Sequence, residues 1–363
     1  MKRNYLALGI TALLLTAIVS CGIIKSMGKD PQGAELARIQ ALPNYKNGQF
    51  ENPTEHPDPG VVQNHWLFLH KRPKTIKPFK PLPWVKTDLN SLAAPAPTIV
   101  WFGHSSLLIK TGQGNILIDP IFSNHAGPIP GLVKAFKGTT NYHAKDMPPI
   151  DILLISHNHY DHLDYRTIKK LKDKIKMAVV PIGVSADLIY WGIDPKKIIE
   201  LNWGESTTLP GGIKITATPA QHKSNRTYGS VDKTLWASYV IQTGKYHLFY
   251  GGDGGYGPHF KKIGKQYGPF DLALLECGQY SPNWPWTHLN FGQTAQAAVD
   301  LRARLLQPVH WGKFVEADHP WNQPIEKLIP SAEKVGMPLN VPRIGEPYTL
   351  GNPPKTAVWW DFQ

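Results

Sequence analysis

Two cysteines in 363 residues are too few for a disulfide framework or a Cys-rich zinc module. No heptad of apolar residues persists, so a coiled coil is excluded. The 32 Gly and 33 Pro are scattered rather than periodic, which excludes a collagen-like chain. Charged residues are scarce at 18% while hydrophobic ones reach 42%, the reverse of a disordered composition. No internal repeat is obvious. Acidic residues are short too: 27 Asp+Glu against 39 Lys+Arg leave a formal charge of +12. What is left is a globular chain, long enough for one large domain or two small ones and for a core of ordinary size.

The N-terminus holds an apolar run from Tyr5 to Val19, behind Lys2 and Arg3. It is short for a membrane span. A cationic start, a short apolar stretch and small residues at its end read as an export signal. Ile18-Val19-Ser20-Cys21 resembles the cleavage box of a bacterial lipoprotein. That resemblance implies removal of residues 1–20 and lipid on Cys21. Several acyl chains hold a protein on a membrane where one is marginal. An uncleaved anchor is the alternative. Loss of residues 1–20 would leave Cys277 as the free thiol. Export disfavours nucleic acid as a partner, so the basic balance points to an anionic membrane surface or to a solvated face. Lys169, Lys170, Lys172, Lys174 and Lys176, on or beside one short helix, pose the same choice.

Nine prolines between Pro53 and Pro97 forbid a long regular element there. The stretch reads as a tether and an extended surface arm, with Phe50, Trp66, Phe68, Phe79 and Trp84 suggesting that much of it packs down. From Thr98 short β-branched runs follow one another, bounded by Gly, Pro, Asn or Asp. Helices are fewer: Tyr165–Lys174 behind Asp164, Ser185–Trp191 and Gly292–Leu305. Sheets packed on each other with helices outside fit this order.

The decisive segment is Ser156-His157-Asn158-His159-Tyr160-Asp161-His162, between the apolar run Ile152–Ile155 and a helix. Alternate residues of an extended chain share a side, so His157 and His159 can meet on one ion. Asp161 and His162, further round the turn, can reach a second. Imidazole and carboxylate suit zinc, with iron or manganese as alternatives.

The pattern resembles the His-x-His-x-Asp-His signature of the metallo-β-lactamase superfamily. The resemblance implies an α/β fold, a four-layer αββα sandwich with a dinuclear metal site at one edge. It also implies three downstream ligands, each after a strand: His222, Asp253 and His310. His157, His159 and His222 would then take one Zn2+ and Asp161, His162 and His310 the other, with Asp253 bridging. Two divalent ions, two carboxylates and one hydroxide leave a charge of about +1, which favours an anionic substrate.

Further segments narrow the likeness. Trp101-Phe102-Gly103-His104-Ser105, Ile118-Asp119-Pro120, Pro219-Ala220-Gln221-His222, Gly252-Asp253-Gly254 and His310-Trp311-Gly312 occur in order. Together they resemble the N-acylphosphatidylethanolamine-hydrolysing phospholipase D group. This implies a phospholipid phosphodiester as substrate and attack by a metal-bridging hydroxide. A lactonase, a β-lactamase-like or other small-molecule hydrolase, and a non-catalytic metal-binding lipoprotein are the alternatives. The parts would be a signal at 1–20, tether and arm at 21–97, the hydrolase domain at 98–350 and a tail at 351–363. By resemblance Asp119 orients ligands and His288 stands near the active site. Without it, Asp119 is a turn former, His288 enters a helix, and His104 is equally open. Trp284-Pro285-Trp286 reads as a lipid-facing wall or, by preference, ordinary packing.

Overall fold

A computed structural model describes residues 22–55, 72–227, 229–352 and 357–361. The proposed signal, Cys21, Trp66 and Phe68 lie outside the described residues. Among the described residues no helix is long and apolar enough to cross a membrane.

Two sheets form the frame. The first has seven strands in the order β15-β3-β4-β5-β6-β7-β8. These are β3 (Thr98–Trp101), β4 (Leu107–Thr111), β5 (Gly114–Ile118), β6 (Ile150–Leu154), β7 (Ile175–Pro181), β8 (Ile198–Leu201) and β15 (Pro347–Thr349). The second runs β14-β13-β12-β11-β10-β9. Its members are β9 (Ser206–Thr208), β10 (Lys214–Thr218), β11 (Ser238–Thr243), β12 (Tyr246–Tyr250), β13 (Leu272–Glu276) and β14 (Leu306–Val309). Each sheet starts antiparallel and ends with parallel pairs, β5-β6-β7-β8 in one and β12-β13-β14 in the other.

Side-chain alternation assigns the layers. Ile116 and Ile118 of β5 and Ile152 and Leu154 of β6 enter the core between the sheets, against Ile215, Tyr239 and Ile241. Their neighbours Leu117, Leu153 and Ile155 point the other way, onto Ile168, Leu171 and Leu188. Those three belong to α2 (Tyr165–Leu171) and α3 (Ser185–Tyr190). The second sheet is covered by α4 (His259–Tyr267), α5 (Phe291–Asp300) and α6 (Gln323–Lys334), through Phe260, Ala298 and Leu328. The result is the expected αββα sandwich.

Some elements differ from expectation. α5 stops at Asp300, because Arg302 adopts φ +60 and turns the chain back. Lys172–Lys174 form a 3-10 turn after α2. Helices α4 and α6 and strands β9 and β15 gave no sequence signal that stood out. The arm is not merely extended. It contains α1 (Gly33–Gln40) and a hairpin of β1 (Tyr45–Lys46) and β2 (Gln49–Phe50). Ile39, Tyr45 and Phe50 pack with Ile182, Leu235 and Trp236 of the sandwich. Phe79, by contrast, stays 77% exposed. Trp84 pairs with Ile344, which fastens the arm's second half.

Candidate metal centre

Strands β3, β5 and β6 run the same way in one sheet, as do β10, β12, β13 and β14 in the other. Their C-terminal ends therefore open on one edge. His104 follows β3, Asp119 follows β5, and His157 to His162 follow β6. His222, Asp253 and His310 follow β10, β12 and β14, and Glu276 ends β13. His104, Asp119 and His310 all have left-handed backbones, with φ of 54, 37 and 63. Such conformations are uncommon for residues with side chains and cluster at functional sites.

All seven expected ligands come together. His157 Nε2 and His222 Nε2 lie 2.9 and 3.3 Å from His159 Nδ1. Asp253 Oδ2 is 3.9 Å from His157 Nε2 and 3.8 Å from His222 Nε2. The same oxygen is 3.0 Å from His162 Nε2, while Asp253 Oδ1 is 3.2 Å from His310 Nδ1. Asp161 Oδ2 is 3.1 Å from His162 Nε2. Asp253 thus stands between a three-imidazole group and a group of Asp161, His162 and His310.

Outer atoms fix which nitrogens point inward. His162 Nδ1 lies 2.7 Å from Asp119 Oδ2, so its proton sits there and Nε2 faces the cluster. His222 Nδ1 donates to the Thr287 carbonyl at 3.0 Å, with the same consequence. Asp119 also accepts from Ser156 N, Ser156 Oγ and Tyr250 Oη. Its carboxylate thus bonds the ring of a candidate ligand and the Ser156 loop besides closing a turn. His104 is fully buried and its Nε2 is 2.8 Å from Asp161 Oδ2, so it braces that carboxylate.

Asn52, Glu276 and Glu316 carried no sequence signal. Asn52 accepts from His222 N and donates to His222 O, both at 2.8 Å, so the N-terminal arm clamps a candidate ligand. Glu276, 1% exposed, accepts from Gly254 N and lies 2.6 Å from His288 Nδ1. His288 stacks on His310 with ring centroids 5.1 Å apart, and it also stands three residues before α5, so it lies beside the cluster and at a helix entry alike. Glu316 Oε2 lies 3.6 Å from His104 Nε2 and 3.9 Å from His310 Nε2. The Trp286 carbonyl is packed where a Cβ on Gly255 would lie at 2.0 Å, so only glycine admits the 284–287 loop this close. Trp284 Nε1 is tied to the Gln279 carbonyl, and Trp286 is 40% exposed. The lysines around α2 are mostly exposed; Lys176 pairs with Asp151 and Lys174 bonds main-chain carbonyls.

The donor set fits a pair of cations. His162 Nε2 and Asp253 Oδ1 are buried and make no well-aligned hydrogen bond, facing only other groups of the cluster. Leaving buried polar atoms so costs about 1–3 kcal/mol each unless something else engages them. Burial holds His157, His222 and His310 well below the ordinary histidine range and His159 at about 4, so their lone pairs are available at neutral pH. Burial alone would lift Asp161, but the facing His162 and the His104 bond hold it well below the usual range. Burial raises Asp253 to about 7. A cation must displace that proton. Adding zinc to metal-free protein at pH 6, where Asp253 holds its proton and metal-bound water is still largely un-ionised, is therefore expected to release at least about one proton per chain, read with a pH indicator. No proton release at pH 6 would contradict the raised Asp253 carboxyl.

An open cavity of about 290 Å³ stands over the cluster, lined by His159, Tyr160, Asp161, Asp253, His288, His310, Glu316 and Ala126. The sequence model of the β-lactamase superfamily domain matches residues 114–311, more than half of the chain. The chain belongs to this superfamily. As a superfamily member it is a metal-dependent hydrolase. An uncharacterised protein of Mycobacterium tuberculosis is 33% identical over 344 residues, spanning 90% of this chain and 91% of its own length. The N-acyl-phosphatidylethanolamine-hydrolyzing phospholipase D 1 of Caenorhabditis elegans is 31% identical over 231 residues, 59% of this chain and 63% of that protein. Among solved structures, Igni18, a metallo hydrolase from Ignicoccus hospitalis, superposes with a TM-score of 0.54 at 23% identity, over 70% of this chain and 97% of its own. That likeness supports the superfamily's fold alone.

Proposed function

We propose that this superfamily member is a phospholipase D-type phosphodiesterase acting on N-acylphosphatidylethanolamine-like lipids. The observation that carries the reading is Asp253, set 3.0 Å from His162 and 3.2 Å from His310, with His157 and His222 just under 4 Å on its other side. A carboxylate so placed would serve two cations at once. His157, His159, His222 and Asp253 would hold one, and Asp161, His162, His310 and Asp253 the other, both zinc. When bound, such a pair supplies Lewis acidity that generates a nucleophile from water near neutral pH and counter-charge for a phosphoryl group. The phospholipid substrate is suggested by the C. elegans relative's name together with the ordered motifs of the sandwich, from Trp101-Phe102-Gly103-His104-Ser105 to His310-Trp311-Gly312.

The chain's own groups supply the rest. Glu276 aims His288 by its Nδ1, leaving the other ring nitrogen for the substrate beside the cavity. Burial lowers His288, so it meets the substrate uncharged at neutral pH. Asp119 and the Thr287 carbonyl hold the His162 and His222 rings against rotation. A lipid anchor on Cys21 would keep the enzyme on the membrane that contains its substrate, on the periplasmic side of a bacterial envelope. Mass spectrometry of the mature N-terminus should find an acylated Cys21; an intact Met1 would remove the anchor.

Zinc-loaded protein offered N-acylphosphatidylethanolamine, a lactone panel and a β-lactam is expected to release phosphatidic acid and N-acylethanolamine from the first. Turnover confined to the lactone or the β-lactam would replace the lipid reading while keeping the metal-dependent one. No turnover at full metal occupancy would leave a metal-binding lipoprotein.

A further inference from the structure

A second cavity adjoins the first. It has a volume of about 470 Å³ and is lined by Arg166, Lys170 and His125 together with Phe122, Pro130 and Ala144. No acidic side chain lines it. The strip around residue 125 separates the two spaces, since His125 faces this cavity and its neighbour Ala126 faces the metal cavity.

Arg166 is the organising cation. Its Nη1 lies 2.8 Å from Nε2 of His125, which is 4% exposed and has its Nδ1 2.8 Å from Asn124 Oδ1. Burial and the Arg166 charge both hold His125 below its ordinary value, so at neutral pH the imidazole accepts from the guanidinium. The nearest acid in the chain, Asp164, has its carboxylate engaged by Arg166 N, Thr167 N and Thr167 Oγ1 as the cap of α2. Neither Arg166 nor Lys170 has an ion-pair partner among the described residues. A guanidinium aimed by a neutral ring rather than a carboxylate keeps its full charge and most of its fork for a ligand.

We infer that this cavity is a binding site for a phosphomonoester, its phosphate on Arg166 and Lys170 and its carbon skeleton against Phe122, Pro130 and Ala144. Two cations match a phosphate dianion better than a monoanionic carboxylate. The apolar wall and the volume favour an organic phosphate over the inorganic ion. A soluble sugar or glycerol phosphate and the head group of phosphatidic acid share this chemistry. Only the lipid source rests on the proposed reaction, which makes such a head group beside this pocket.

The test titrates glycerol 3-phosphate into zinc-loaded full-length protein by calorimetry, and in parallel sediments the protein with phosphatidylcholine vesicles with and without phosphatidic acid. Arg166→Gln is expected to weaken glycerol 3-phosphate binding about tenfold or more, with zinc content unchanged. Lys170→Gln, at an exposed position that cannot disturb the fold, is expected to weaken it several-fold. Asp253→Asn should leave it intact. Sedimentation that depends on phosphatidic acid and is lost in Arg166→Gln assigns the site to the lipid; binding of the soluble ester without that dependence assigns it to a soluble phosphate. Wild-type affinity in both Arg166→Gln and Lys170→Gln, or loss of binding in Asp253→Asn, overturns the site, the latter because the ligand then sits on the metal ligands. The proposed lipid hydrolysis can fail in its own assay with this result unaffected.

Discussion

Asp253→Asn is expected to reduce turnover about a thousandfold or more while the protein still folds. Asparagine preserves shape and removes one unit of negative charge at the point where the two imidazole groups meet. Asp253 is 3% exposed and its carboxylate faces the site's own imidazoles, His162 at 3.0 Å and His310 at 3.2 Å, rather than the frame of the sandwich, so an isosteric amide leaves the fold in place. In the metal-free chain burial already raises Asp253 to about 7, which makes the neutral amide a tolerable replacement there. In the loaded chain the deficit is direct. A neutral amide oxygen is a weaker ligand than a carboxylate and serves two cations poorly. Elemental analysis should show a loss of at least one zinc per chain beside the rate loss, with an unchanged circular dichroism spectrum. A near-normal rate in this variant would mean that Asp253 does not join the two groups.

The second large effect belongs to Asp119. Its carboxylate accepts from Ser156 N at 2.8 Å, Ser156 Oγ at 2.5 Å, His162 Nδ1 at 2.7 Å and Tyr250 Oη at 2.5 Å, all in the buried interior. Asp119→Ala strands those donors together. At about 1–3 kcal/mol for each unsatisfied buried group, the variant should lose several kcal/mol of stability in urea unfolding. It should also bind zinc roughly 10- to 100-fold more weakly, because His162 is no longer held to one tautomer and one ring orientation. Asp119→Asn keeps one acceptor oxygen and should fall between. If Asp119→Ala bound zinc as tightly as the wild type, the His162 ring would be oriented by something other than this carboxylate. A loss of stability alone, without weaker zinc binding, would fit a purely structural Asp119.

What could be read in advance follows from distance along the chain. His157, His159, Asp161 and His162 lie within six residues on one loop, and local geometry brings them together whatever the rest of the molecule does. His222, Asp253 and His310 were legible only through the superfamily resemblance, because a lone His or Asp at the end of a strand carries little signal of its own; the sheet order then places those strand ends on one edge. Asn52 could not be found that way. It acts on His222 across 170 residues, and nothing near it in sequence differs from an ordinary Asn-Pro turn. Glu276 was hidden because a lone carboxylate at the end of an apolar strand looks like a solvated strand terminus, whereas it is buried under Gly254 and His288. Helix α6 was masked by Pro324 at its start and Pro330 within it, residues that signal a break when read locally. The left-handed turns at His104, Asp119 and His310 left no trace either, since φ belongs to the folded chain and not to the residue type.

The clamp of Asn52 on the His222 backbone bears on how the gene can be cut. A chain begun at residue 98 would keep every strand of the sandwich and every proposed ligand. It would still arrive with the His222 main chain unclamped, its ring held by the Thr287 carbonyl alone, having shed a pair of 2.8 Å bonds together with the Ile39, Tyr45 and Phe50 packing that delivers them. The leading segment is working hardware, and a trimmed version sold as a minimal enzyme would be missing a bolt.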